Sequence, residues 1–115
     1  MIQPQTWLRI ADNSGGKTLM CIRVLSSSKR YGQVGDVIVG VVKDSYPKEV
    51  VQAVIVRTKH PILRKDGTRL QFETNSCVIV TKEQNPRGTR IFGSIAREIK
   101  NKGFSKIASL APELV

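Results

Sequence analysis

DVIVGVVKDSYPKEVVQAVIVR, residues 36–57, is the stretch that decides the fold class. Its two ends, Asp36–Lys43 and Val50–Arg57, are crowded with Val and Ile and are too short for buried helices, so both read as strands. The runs VIVGVV and AVIV are apolar on both faces. Such strands need cover on either side, which a closed barrel with helices or loops packed outside it supplies. Val39, Val41, Val54, Val56, Val78 and Val80 are therefore expected in strands of one barrel, most of them buried.

The same grammar continues outward. Thr6–Ala11 alternates, with Leu8 and Ile10 on one face and Trp7 and Arg9 on the other. Leu19–Leu25 and Ser76–Thr81 are further Val- and Ile-rich strands. Loops are marked by Asn13-Ser14-Gly15-Gly16, by Ser26-Ser27-Ser28, by Gly32 and by Gly35-Asp36. Asp66-Gly67, between PILRK and TRLQF, predicts a hairpin over about 59–73 closed by a two-residue turn, since Gly supplies positive φ cheaply. That arm carries Arg64 and Lys65 at its tip, then Arg69, and has few core-forming residues. It reads as a basic hairpin projecting from the body.

The pattern changes after Lys82. Residues 83–88, with Pro86 and Gly88, form an irregular connector. Ile95, Ala96 and Ile99 then fall at helical spacing, with Lys100, Lys102 and Gly103 as a stop. Phe104, Ile107, Ala108 and Ala111 give a second short helix before Pro112. The expected organisation is mainly β: a single domain, 1–115, with the barrel and hairpin in 1–82 and the connector and two small helices in 83–115.

Charge narrows the function. Nineteen Lys and Arg against nine Asp and Glu leave a net charge of +10. Such an excess points to a polyanionic partner, nucleic acid above all, because each neutralised phosphate also releases a counterion. No apolar run spans a bilayer and no long basic amphipathic helix is evident, so no membrane partner is expected. Cys21 and Cys77 sit inside apolar runs and read as buried, reduced thiols. The opening has no charged-then-apolar leader, so the chain is expected to work, reduced, in the compartment where it is made.

Catalysis finds little support. His60 precedes a proline in a basic segment and reads as a solvated loop residue without an evident partner for general-base work. No Cys or His cluster has metal-ligand spacing and no Gly-rich phosphate loop occurs, so neither metal nor cofactor is expected, and a small hydrolase lacks its base and nucleophile. The carboxylates are scattered singly, with Asp36 and Asp66 as turn formers.

The cations, by contrast, cluster. Lys17, Lys29, Arg30, Arg64, Lys65, Arg69, Arg87 and Arg97 are the candidate RNA contacts, while Lys43, Lys48 and Lys82 read as a solvated face. Arg87 and Arg90 flank Gly88, where a guanidinium can fork onto phosphate oxygens. Charge spread over loops and helices suits a protein wedged among RNA segments. Phe72, Phe92 and Phe104 read as core or staple residues, and Trp7 and Tyr31 stay open between stacking and packing. An alternative, a free-standing barrel-type single-stranded nucleic-acid-binding protein, would want an aromatic platform on a strand face.

These segments resemble the universal large-subunit ribosomal protein family numbered fourteen, across almost the whole chain. The first half is similar in "MIQPQT", "ADNSGG", "MCIRVL", "GDVIV" and "AVIVRT". The family signature is matched from Ala53 to Ile79: AVIV, nine residues, Asp66-Gly67, four residues, Phe72, two residues, Asn75, two residues, Val78-Ile79. The tail resembles it in "GTRIFGSIAREI" and "FSKIASLAPE". The resemblance implies a five-stranded β-barrel with a protruding β-ribbon and two small C-terminal helices. It implies no enzyme but a ribosomal role: binding large-subunit rRNA, pairing with a neighbouring large-subunit ribosomal protein, and meeting small-subunit rRNA at an intersubunit bridge. It also implies that Thr89, Arg90 and Lys106 form a docking surface for a ribosome-silencing factor. One departure is SYPKEV, residues 45–50, where relatives carry a longer, often basic loop, leaving Lys48 as its only base. The opening resembles plastid-encoded members, which implies a ribosome of the plastid stroma, with bacterial cytoplasm as the alternative.

Overall fold

The computed structural model describes residues 2–25, 31–44 and 48–115. The loop expected at Ser26-Ser27-Ser28, the candidates Lys29 and Arg30, and the first half of SYPKEV lie outside the described residues. In chain order the elements are β1 (Trp7–Ile10), β2 (Thr18–Val24), β3 (Val37–Val42), β4 (Glu49–Arg57), β5 (Ile62–Leu63), β6 (Arg69–Leu70), β7 (Ser76–Val80), α1 (Glu98–Asn101) and α2 (Ser105–Leu110). Strands β1-β2-β3-β4-β7 close into a barrel, and β5 and β6 make a separate two-stranded sheet. The fold is mainly β, as the alternation and β-branched runs require.

Neighbouring barrel strands pair antiparallel except β1 and β7. Those two run parallel, Arg9 against Ser76 and Ile10 against Cys77, and shut the barrel. Alternation fills the inside with Leu8, Ile10, Leu19, Cys21, Ile38, Val42, Ala53, Ile55, Cys77 and Ile79, all buried. Gly40 also faces inward, and a Cβ there would run into Leu19 Cδ2 and come within 2.8 Å of the Met20 carbonyl oxygen. The two thiols are free, and burial pushes both up from the ordinary cysteine range.

The outer faces are covered unevenly. Val54, Val56, Val78 and Val80 are buried as expected. The C-terminal segment reaches this side, with the Ala96 N–H donating to the Val56 carbonyl at 3.3 Å and Pro86 bridging to Val80. Val39 and Val41 on β3 are only half-buried, and Val50 beside them is 64% exposed.

Two local expectations are corrected. Ile95 and Ala96 are buried but not helical, because strand-like partners take their backbone groups. The Ile95 N–H donates to Glu113 O at 3.1 Å, and the Val115 N–H donates to Ile95 O at 3.0 Å. Helix α1 therefore starts at Glu98; it ends at Asn101, and Gly103 just beyond the cap, at φ +96°, is the expected stop. The hairpin is also not closed by a two-residue turn. Gly67 N–H donates to Arg64 O at 3.0 Å and Arg64 N–H to Thr68 O at 2.9 Å, with Gly67 at φ +88°. That is a three-residue loop, Lys65-Asp66-Gly67, with its glycine left-handed. Asp66 braces it by accepting from the Thr68 N–H at 3.0 Å and hydroxyl at 2.6 Å. Arg64 thus sits at the base of the loop rather than at its tip.

Candidate nucleic-acid interface

The structure sorts the sequence-derived cations into free and engaged. Lys17, Lys65, Arg69 and Arg97 are exposed. Beside Lys17, the backbone N–H groups of Lys17 and Thr18 donate to the Asp44 carboxylate at 2.8 and 3.1 Å. Those donors hold the Asp44 carboxyl below its ordinary range and fix the loop on which Lys17 stands.

Arg64 and Arg87 are engaged. The Arg64 guanidinium forks onto Glu98 through two bonds of 2.9 Å, and its Nη2 also donates to Val115 O at 2.6 Å. Arg87 forks onto Glu49 at 2.8 and 3.2 Å. Each guanidinium already has a carboxylate where phosphate contact was expected. Neither partner was legible, because Glu98 and Glu49 lie far away in the chain. The third described ion pair is the Lys102 ammonium, 3.6 Å from a carboxylate oxygen of buried Asp36. Lys102 also donates to Val34 O at 3.0 Å and so ties the end of α1 to the barrel.

The proposed docking residues come together through two asparagines. The Asn13 side-chain carbonyl accepts from the backbone N–H groups of Thr89 at 2.9 Å and Arg90 at 3.1 Å, while its amide donates to Thr89 Oγ1 at 3.0 Å. Lys106 Nζ donates to Asn85 Oδ1 at 3.0 Å, in the same connector. Thr89, Arg90 and Lys106 are all exposed. Arg90 lies over the Phe92 ring, 5.4 Å from its centroid. Phe92 is 48% exposed, which corrects its reading as a core residue; Phe72 and Phe104 do pack against the core.

Sequence reasoning missed Arg57. A register shift between Ile55 and Arg57 turns this side chain toward the C-terminal segment, where it donates to Phe92 O at 3.0 Å and Ser94 O at 2.9 Å. Its Nε is buried without a hydrogen-bond partner. Desolvation first, and then the like charge of Arg9, lower its pKa. The bulge that creates this geometry leaves no composition signal.

Trp7, left open by its sequence, is 56% exposed on the outer face of β1, with the Lys43 ammonium 5.8 Å from its ring centroid. His60 is exposed, and its carbonyl accepts from the Thr58 hydroxyl at 2.9 Å. Among the described residues no group of three or more His, Cys, Asp or Glu is placed to hold a metal ion, and no helix is long and apolar enough to cross a membrane. The family model described as ribosomal protein L14p/L23e matches the chain over residues 1–115, its whole length.

Proposed function

We infer, from the premise that the chain belongs to the ribosomal protein L14p/L23e family, that it binds large-subunit rRNA through loop and hairpin cations. Membership itself gives the protein a structural role in the large subunit of the ribosome, not a catalytic one. The observation that carries the finer reading is the imbalance of charge. A net +10 chain leaves Lys17, Lys65, Arg69 and Arg97 exposed on the barrel rim, the hairpin loop and the approach to α1. Lys29 and Arg30 complete the proposed set. Arg64 and Arg87 would have to exchange a carboxylate for a phosphate, so their share is smaller.

The uncovered outer side of β2, β3 and β4, with Ile22 on β2 42% and Val50 on β4 64% exposed, supports packing against a neighbouring large-subunit protein. The connector carrying Thr89 and Arg90, with Lys106 beside it, is proposed to face small-subunit rRNA at an intersubunit bridge and to receive a silencing factor.

Sedimentation tests the RNA reading. The native protein should cofractionate with large subunits and survive moderate salt, and the isolated chain should bind large-subunit rRNA fragments with an affinity that falls steeply as salt rises. A salt-independent affinity would rule out phosphate contacts as its basis.

A further inference from the structure

Trp7 is the chain's single tryptophan, and alternation along β1 turns it out of the barrel together with Arg9. From this pair a groove of about 300 Å³ runs toward the entrance of β7, lined by Trp7, Arg9, Thr18, Lys59, Thr74 and Asn75 and by no carboxylate. Asn75 fixes the backbone on both sides of it. The Lys59 N–H donates to the Asn75 side-chain carbonyl at 2.8 Å, and the Arg9 N–H donates to the Asn75 backbone carbonyl at 2.9 Å. The groove therefore offers one large ring, two cations on fixed backbone, and the hydroxyl or amide groups of Thr18, Thr74 and Asn75.

A second observation shows that the outer row beside this groove carries more positive charge than its partners answer. Arg9 and Arg57 both pair with Ser76 across the outer face, and the buried Arg57 Nε has no hydrogen-bond partner. Two guanidiniums disposed in this way favour an anion close by.

We propose that this groove binds one unpaired RNA nucleotide, its base stacked on Trp7 and its phosphate held by Arg9 and Lys59. The inference rests on the RNA-binding reading and deepens it, since a duplex backbone would use the cations and leave the indole without a role. Stacking needs only a π-face, so it accepts any base. Thr18 and Thr74 are placed for the 2′-hydroxyl, which separates RNA from DNA. A groove walled by cations without an acid suits a polyanion better than the apolar core of a protein interface.

Because Trp7 is the only tryptophan, its emission reports on the groove directly. The full chain is titrated with a short single-stranded oligoadenylate and with an RNA duplex carrying the same number of phosphates. The single strand should quench Trp7 emission and the duplex should not. Trp7→Ala should lose on the order of tenfold in single-strand affinity, with duplex affinity unchanged, and Trp7→Phe should recover most of the loss. Arg9→Ala and Lys59→Ala should each reduce the single-strand salt slope by about 0.7. Cooperative urea unfolding of each variant confirms that it is folded. Single-strand binding without quenching, and unchanged in Trp7→Ala, would overturn the nucleotide site while the RNA-binding reading stands. Failure to bind either RNA would remove that reading as well. If Trp7→Ala binds both RNAs normally but impairs assembly beside a protein neighbour, the patch is a protein contact and the proposal fails.

Discussion

Arg64 and Glu98 meet fork to fork, Nε to Oε2 and Nη2 to Oε1, each at 2.9 Å. This pair ties the base of the hairpin loop to the first turn of α1, and the added bond to Val115 O brings in the C-terminal residue. The hydrogen bonds from Arg64 hold the Glu98 carboxyl below its ordinary range. A carboxylate whose pKa falls on folding stabilises fully above its unfolded value, and that stabilisation is lost as pH falls through the folded value. Glu98→Gln should therefore cost about 1–2 kcal/mol at neutral pH, the lower end if the 21–25% exposure of the pair screens it well. Urea midpoints of native and variant chains should converge in acid.

The same pair separates two kinds of basic residue in one hairpin. Lys65→Ala with Arg69→Ala should leave stability within about 0.5 kcal/mol, since both residues are exposed. Their joint loss should lower rRNA affinity and reduce the salt slope by about one for each lost phosphate contact. Arg64→Ala should act first on stability. An unchanged slope in the double variant would remove the hairpin from the RNA interface.

Thr89 and Arg90 project from a segment that Asn13 holds, and Lys106 on α2 reaches the same connector through Asn85. Replacing all three by Ala should keep stability within about 1 kcal/mol, because each is exposed. Incorporation into large subunits should persist, while subunit joining and silencing-factor binding fall. Normal joining and normal factor binding would remove this surface from both roles.

Gly40→Ala tests the narrowness of the barrel interior. The added methyl would run into Leu19 and the Met20 carbonyl, so a loss of about 1–3 kcal/mol is expected from overpacking. Leu19→Ala in the same chain should recover part of that loss by making room, which a double-mutant cycle in urea would measure.

Cys21 and Cys77 are fully buried, and desolvation raises both thiols from their ordinary range. Neither should react with a thiol reagent at neutral pH in the native state, since the thiolate is the reactive form. Both should react once urea unfolds the chain. Rapid native labelling would place a thiol at the surface.

The barrel was legible because β-branched alternation is a local property. Leu8 and Ile10 announce the inner face of β1, and VIVGVV and AVIV announce strands that cannot stand alone. What escaped depends on residues far apart in the chain. Arg64 is indistinguishable from Lys65 until Glu98 folds beside it. Ile95 and Ala96 follow helical spacing but lose their N–H groups to Glu113 and Val56. Alternation placed Trp7 opposite Leu8, yet only the assembled outer surface shows that it stays more than half exposed with Lys43 over its ring. Phe92 misled for the same reason, since an aromatic beside Ile91 reads as core until Arg90 is seen lying over it.

The parallel seam between β1 and β7 also orders events in time. During synthesis the first barrel strand emerges early, and its closing partner is made only after the hairpin between β4 and β7 has been made. Until Ser76 and Cys77 arrive, Arg9 and Ile10 offer an open edge, the kind of surface that invites pairing with another chain. Contacts so distant in sequence also slow the search for the native state, placing closure in the range of about milliseconds to seconds rather than microseconds. A nascent chain of this protein therefore spends its vulnerable interval unsealed at one strand, and sealing that strand late is the step at which aggregation competes with folding.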